Sequence, residues 1–406
     1  MQNSDYYDLI IVGGGIIGAS IFYLYQKQYP QSNILLLEKE NESASHQTGR
    51  NSGVIHSGIY YKPGSLKAKN CRQGLKLLYD FCKEFKVPYD NCGKLIIAKN
   101  DAEIKSLVFL KERGIQNGIE GIKLLNSDEA KEYEPYVKCV KAVYVPETGI
   151  VDYGLVTKEL IKQAKKINSN SNVLYDEKVI DFVKKEDFTL LNSKDKTFES
   201  KQVVFCTGLQ SDRFAKKDGL KSDLRVVPFR GDYFALKPKA YHKVKNLIYP
   251  VPNPDLPFLG VHITRMMNGT VESGPNAVFS FDREGYTKLA FDFNDTRDAF
   301  RFSGTWKLFS KFWKTGISEY QRAFSEKRFL KSLQEIVPSI EFDDLGSHRA
   351  GVRAQVVDKS GNLVDDFMIK KGNCGIHVIN APSPAATACL SIAHEIIGRL
   401  KEISTH

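Results

Sequence analysis

The sequence predicts an α/β chain with a second, α+β domain. Three observations carry this. A glycine-rich turn and a helix stand between two short apolar strands from Tyr7 to Glu38, aromatic-rich strand candidates lie between Arg225 and Ile340, and a strand and helix pattern returns after Gly375. A length of 406 residues suits two or three domains, and 42% hydrophobic residues supply a large core.

Tyr7 to Val12 is a short apolar run that fits a strand buried on both faces, and Gly15 to Tyr25 carries apolar residues compatible with a helix. Asn33 to Glu38 is a second such strand, so the three make a βαβ unit heading a doubly wound sheet. Leu75, Leu78, Cys82 and Phe85 recur at helical spacing and predict a helix over Leu66 to Phe85. From Asn172 to Phe205, short alternating stretches broken by Asp, Asn, Ser and Lys predict a small antiparallel meander, with Gln202 to Gly208 as its buried last strand. Tyr233 to Leu236 and Leu247 to Val251 are strand candidates of a second domain, followed by a helical stretch rich in Phe and Lys. The chain closes on a strand at Gly375 to Ile379 and a helix from Pro384 to about Leu400, with Leu390, Ala393, Ile397 and Leu400 along one face. Residues 1–85, 150–215 and 345–406 are thereby assigned to a cofactor-binding domain, and 86–149 and 216–344 to an interleaved antiparallel-sheet substrate domain.

Lys and Arg number 58 against 48 Asp and Glu, a net charge of +10 that suits an anionic partner: nucleic acid, lipid headgroups or a small anion. The basic residues are spread along the whole chain without a block or a stacking pattern, so nucleic acid is not expected. The seven cysteines are scattered, odd in number and without a CxxC pair, which argues for a reducing compartment. No grouping of Asp, Glu and His has metal-ligand spacing, and no metal is expected. The N-terminus enters a strand pattern without a charged and apolar leader, so a cytoplasmic location is expected. Leu9 to Tyr25 is the most apolar long window, but it contains three consecutive glycines and is not read as a membrane span. Membrane contact is expected only by charge, at an anionic surface on its inner face.

Gly13, Gly15 and Gly18 form G-x-G-x-x-G between the first strand and the first helix, with Ile16 and Ile17 between the last two. That spacing gives a tight turn, close backbone approach to a pyrophosphate and close helix packing, at a helix N-terminus whose N–H groups suit a diphosphate. Glu38 ends the second strand twenty residues after Gly18, where a carboxylate can accept from ribose hydroxyls. This is a Rossmann-type site. Thr48, Gly49, Arg50, Asn51, Ser52 and Gly53 form a second loop suited to wrap a diphosphate and reach a flavin, which points to FAD rather than NAD. Ser383 and Pro384 read as an N-cap and a first-turn proline, presenting N–H groups of Ala385, Ala386 and Thr387 to a flavin edge that gains negative charge on reduction. Lys39, Val179, Thr207 and Gly208 complete the expected cofactor contacts.

With these residues in place, the chain resembles the FAD-dependent amine and hydroxy-acid oxidase superfamily, and within it the L-2-hydroxyglutarate oxidase/dehydrogenase family. The resemblance is carried by HQTGRNSGVIHSGIYYKPGSLKAK (His46 to Lys69), YDNCGKLIIA (Tyr89 to Ala98), PFRGDYF (Pro228 to Phe234) and YPVPNPDLPFLGVHITRM (Tyr249 to Met266). It continues through GPNAV, REGY, AGVRAQ, DDF and NAPSPAAT, the last at Asn380 to Thr387, so it spans the chain from end to end. One departure is Arg50, where the family usually has His; a permanent charge near the flavin or its phosphates bears on potential or affinity. The resemblance implies FAD, oxidation of L-2-hydroxyglutarate to 2-oxoglutarate, and a membrane quinone, oxygen or another electron acceptor.

Oxidising a 2-hydroxy acid moves hydride from C2 to flavin N5 while a base takes the hydroxyl proton. A dicarboxylate also needs cations that bind carboxylates in a fork. The expected base is a neutral histidine, His56 or His377 with His262 next, and the expected carboxylate partners are Arg265 and Arg353, then Arg230, with Tyr233 as a hydrogen-bond donor. His262 and Arg265 are three apart in one strand candidate, so only one of them should face inward. Relatives that attach flavin covalently through a histidine in this region leave His56 open as an attachment point. The residues also leave open an oxidase of another small anion, such as an amino acid or glycerol 3-phosphate, and a flavin-dependent RNA-modifying protein as the rival of a different class.

Overall fold

The computed structural model describes residues 5–252 and 260–404. Successive apolar residues of the first strand, Asp5–Val12, point to opposite faces of one sheet: Leu9 and Ile11 join one core cluster, Ile10 and Val12 another. The strand is therefore buried on both sides, as its unbroken apolar run requires. It lies parallel to Thr197–Phe205 on one side and Ile34–Leu37 on the other, in an eight-stranded sheet ordered Asp181–Lys184, Thr189–Asn192, Thr197–Phe205, Asp5–Val12, Ile34–Leu37, Asn172–Leu174. Ile376–Asn380 pairs in parallel with the far end of Thr197–Phe205, and Met368–Lys371 pairs against it. Helices Ile16–Gln28, Tyr153–Ile167 and Cys389–Ser404 cover the face of Leu9 and Ile11.

The second sheet has nine strands drawn from two stretches of chain. Leu224–Leu236 and Leu345–Asp358 form a long antiparallel ribbon, and Val271–Gly274, His262–Arg265, Leu247–Pro250, Lys94–Ala98, Lys141–Val145 and Lys123–Asn126 follow in order. Leu247–Pro250 meets Lys94–Ala98 in parallel, which sews the 94–145 segment to the later one. Helix Glu326–Gln334 packs Phe329 and Leu333 under this sheet, and helices Phe293–Phe300 and Ser303–Phe324 extend it. A small sheet of Val54–Ile55, Gly149–Val151 and Tyr89–Asp90 lies where the chain passes between the two.

Two sheets, one parallel at its centre and one largely antiparallel, bear out the α/β class with its interleaved partner. Three boundaries differ. Asn172–Leu174 is a parallel edge strand beside Ile34–Leu37, so the antiparallel hairpins begin at Asp181 rather than at residue 172. Leu345–Asp358, assigned with residues 345–406 to the first domain, belongs to the second sheet, paired with Leu224–Leu236 from Leu224 opposite Asp358 to Tyr233 opposite Arg349. The last helix starts at Cys389, not Pro384: the Ala385 and Ala388 amides bond back to Pro382 and Pro384, which makes residues 383–388 a run of turns. Helix Leu66–Glu84 stands where the apolar spacing predicts it.

Candidate active site

The glycine turn is built as its spacing demands. Gly13 has φ +113°, and a Cβ there would stand 2.4 Å from the Cys206 carbonyl oxygen. At Gly18 a Cβ would come within 2.0 Å of the Gly13 carbonyl, so the helix can lie this close to the turn only without a side chain. Glu38 is buried at the end of its strand and accepts from Gly14 N at 2.6 Å and Glu40 N at 3.0 Å. Thr48 Oγ1 accepts from Ile16 N at 3.0 Å and ties the second loop to the helix start.

A cavity of about 1090 Å³ opens on this turn. It is lined by Gly13, Gly15, Ile16, Ile17, Gly18, Glu38 and Lys39, then by Thr48, Arg50, Asn51, Ser52, Val179, Thr207 and Gly208, then by Ala385, Ala386 and Thr387. Its other end lies under the second sheet, among His56, Tyr60, Tyr61, Tyr233, Tyr249, His262 and Arg353. These residues fit FAD. The Thr207 hydroxyl is buried with no partner, and among the described residues the amides of Ala386 and Thr387 have none. The volume exceeds what an ordinary small ligand needs, leaving room for a dinucleotide and a small acid.

Two of the histidines lining the cavity, His56 and His262, are held neutral. Burial, then the charges of Lys94, His262 and Lys67, push His56 down to about 3. Its backbone N–H donates to Thr387 Oγ1 at 3.0 Å, and its Nε2 lies 3.3 Å from Ser383 Oγ. Burial likewise holds His262 at about 3, and the ring stacks on Tyr249 with centroids 4.1 Å apart. His262 Nδ1 lies 3.0 Å from the Gly260 carbonyl, which can only accept, so Nδ1 carries the hydrogen and Nε2 is left as the acceptor.

Other expected residues stand outside the cavity. His377, expected as a base, faces Asp218 with Nε2 2.8 Å from Oδ2, fully buried and stacked on Phe205. Arg265 pairs with Asp90 and donates to the Lys245 carbonyl at 2.7 Å, on the face of its strand opposite His262. Arg230 is buried against Asp232, Nε to Oδ1 2.9 Å, and donates to the Thr287 carbonyl. His377 and Arg265 are held by carboxylates far away in sequence, whereas the partner of Arg230 stands two residues on, in its own segment. Gly49 and Gly53 shape the second loop without lining the cavity, Gly53 at φ +66° and 2.7 Å, through a built Cβ, from the Val151 carbonyl.

Arg50 lines the cavity with its guanidinium 3.7 Å from the Tyr286 ring centroid and Nε on the Ser45 carbonyl. Tyr233 lies under Arg349, which pairs with Glu272 and donates to the Asn51 carbonyl at 2.8 Å, joining the second sheet to the cofactor loop. Sequence reasoning missed Tyr60, Tyr61, Lys67 and Tyr249, although the signal was present: all four sit in the two longest family words. Residues 253–259, within the second of those words, lie outside the described residues.

A family model described as FAD dependent oxidoreductase matches residues 8–397. The chain is 46% identical over 387 residues to L-2-hydroxyglutarate dehydrogenase of Indibacter alkaliphilus, covering 95% of this chain and 96% of that one. It is 42% identical to the mitochondrial L-2-hydroxyglutarate dehydrogenase of Homo sapiens, covering 98% and 89%, and 40% identical to the L-2-hydroxyglutarate dehydrogenase of Escherichia coli, covering 98% and 94%. Among solved structures, the FAD-bound L-alpha-glycerophosphate oxidase of Mycoplasma pneumoniae superposes with a TM-score of 0.78 at 25% identity, over 97% of this chain and 94% of that one. Glycine oxidase of Geobacillus kaustophilus shares the fold, with a TM-score of 0.74 at 16% identity over 98% and 95%. The glycine turn, the cavity and these full-length similarities together place the chain in the FAD-dependent oxidoreductases and, within them, in the L-2-hydroxyglutarate dehydrogenase family.

Proposed function

We propose that the protein oxidises L-2-hydroxyglutarate to 2-oxoglutarate. The observation that carries the chemistry is a neutral histidine, His262 with Nε2 as acceptor, sharing one cavity with Arg353, His56 and the glycine turn. When bound, FAD supplies the two-electron acceptor for the hydrogen at C2. Arg353 binds a carboxylate, Tyr233 donates to the substrate, and His262 or His56 receives the hydroxyl proton at a ring nitrogen that is unprotonated at neutral pH. Walls of buried Tyr233 and Tyr249 and half-buried Tyr60 keep water from the reacting atoms.

The substrate is tested by mixing the FAD-loaded protein without oxygen with L-2-hydroxyglutarate, amino acids and glycerol 3-phosphate. Bleaching of the flavin band by L-2-hydroxyglutarate alone supports the reading. Bleaching by glycerol 3-phosphate or an amino acid alone replaces it, as the fold shared with glycerophosphate and glycine oxidases allows.

For the acceptor we propose a membrane quinone, reached by a cytoplasmic protein that rests on the bilayer. No helix among the described residues is long and apolar enough to cross a membrane. The surface of the second domain instead exposes Phe291, Phe293, Trp306 and Trp313, flanked by exposed Arg297, Lys307, Lys311 and Lys314. Rings bordered by cations suit an anionic lipid surface. Sedimentation with anionic vesicles should fall as salt rises and weaken in a Trp306→Ala, Trp313→Ala double variant; binding equal to that on neutral vesicles would refute this docking.

A further inference from the structure

Lys94 opens the strand Lys94–Ala98 and is buried to 1% exposure. Its ammonium lies 4.5 Å from the Tyr60 ring centroid and 4.9 Å from that of Tyr249. The other deeply buried cations have carboxylate partners: Arg283 has Asp212, Arg230 has Asp232 and Lys67 has Asp365. Among the described residues no carboxylate pairs with Lys94. The groups around it are His56, Tyr60 and Cys71 from one stretch of chain, and Tyr249 and His262 from the adjoining strands; none carries a negative charge at neutral pH. The Tyr60 hydroxyl is itself buried without a partner. Tyr60, Tyr249, His56 and His262 all line the cavity end where the substrate is expected.

A buried ammonium without an anion is costly, and a buried hydroxyl without a partner adds to that cost. We propose that Lys94 and Tyr60 form the receptor for one substrate carboxylate, unpaired in the free enzyme and joined to that carboxylate when the dicarboxylate enters. This inference rests on the dicarboxylate reading of the substrate. A carboxylate that enters beside Tyr60 and Tyr249 gains the ammonium behind those rings as its counter-charge and the Tyr60 hydroxyl as a donor, with Arg353 in the same cavity lining for the other end.

Burial pushes Lys94 down to about 7 in the free enzyme. Pairing with a carboxylate raises it again, so affinity is full below pH 7 and falls as pH rises above it. At pH 8 binding should draw in most of one proton. His56 and His262, both held at about 3, stay neutral there and take up none.

The test uses FAD-loaded protein and 2-oxoglutarate as the probe, with affinity read from the flavin spectrum and proton uptake from calorimetry at pH 8 in buffers of different ionisation enthalpy. Wild type should take up most of a proton. Lys94→Met should bind about tenfold to hundredfold more weakly, take up none, and melt at a higher temperature than wild type when free of ligand. Tyr60→Phe should bind severalfold more weakly with uptake unchanged. Equal affinity and equal uptake in Lys94→Met would overturn the inference and leave the dicarboxylate reading standing. If lactate rather than 2-oxoglutarate binds, with Lys94-dependent uptake, the dicarboxylate reading falls and Lys94 remains an anion receptor. Lys94→Gln repeats the comparison should the Met variant fold poorly, and loss of FAD from both would assign Lys94 to the fold and overturn the proposal.

Discussion

Replacing Gly74 by alanine sets two effects against each other. Gly74 lies inside helix Leu66–Glu84, where alanine should stabilise by about 1 kcal/mol. A Cβ at Gly74, however, would stand 2.5 Å from Ala388 Cα and 2.7 Å from the Thr387 carbonyl oxygen. Both are backbone atoms and cannot rotate aside, so helix and turn must part by roughly 0.5–1 Å, an overpacking cost of about 1–3 kcal/mol. The net loss is about 1 kcal/mol, and with about 2.1 cal/mol/K per residue over 406 residues that moves Tm by only about 1 °C. Function should suffer more. The displaced turn carries the Ala386 and Thr387 amides and the hydroxyl that receives the His56 N–H, and misplacement on the order of 1 Å can cost about 10²-fold in rate. Stopped-flow reduction of bound FAD by L-2-hydroxyglutarate measures the rate, and release of FAD fluorescence on heating measures Tm. Gly398→Ala is the control, because a Cβ there meets nothing within 4 Å and should raise Tm by about 1 °C with the rate unchanged. If Gly74→Ala matches Gly398→Ala in both readouts, the turn does not position the flavin or His56.

Alanine at His262 or His56, whichever is the base, should slow flavin reduction by about 10²- to 10⁴-fold with FAD retained, whereas His377→Ala should lower Tm and leave the rate within about threefold. Because burial holds His56 and His262 near 3, the base stays unprotonated as pH falls from 8 to 5; the rate of reduction at saturating substrate should be flat there, and an acid limb centred near 6.5 would contradict this. Arg353→Lys should raise KM about tenfold or more through loss of the fork, while Arg265→Lys, outside the cavity and already paired with Asp90, should leave both kcat and KM close to wild type.

The parts of the fold set by neighbours in sequence were legible in the sequence. Strand, glycine turn, helix and closing acid lie within thirty-odd residues, and each has a local physical reason, so Gly13, Gly18 and Glu38 stand where the spacing puts them. His262 and Arg265, three apart on one strand, face opposite sides as the strand's period requires, and only His262 lines the cavity. Long-range pairing was not legible. His377 looked free because its partner Asp218 is 159 positions away, and Leu345–Asp358 looked like first-domain chain because its partner strand begins at Leu224. Nothing local in the sequence singles out Lys94; the register of Ile248 opposite Leu95 is what brings Tyr249 against it. Pro384 suggested a helix start, but the amides that follow it bond into turns first.

Whether this cavity removes two electrons from L-2-hydroxyglutarate can be observed on the flavin itself. The direct measurement is a single turnover without oxygen, in which FAD-loaded protein is mixed with L-2-hydroxyglutarate and both the flavin band and the acid product are followed. Complete bleaching is expected, with one 2-oxoglutarate formed per flavin and no bleaching by lactate at the same concentration. An oxidised flavin after long exposure to L-2-hydroxyglutarate, in a preparation that glycerol 3-phosphate or an amino acid bleaches, would contradict it.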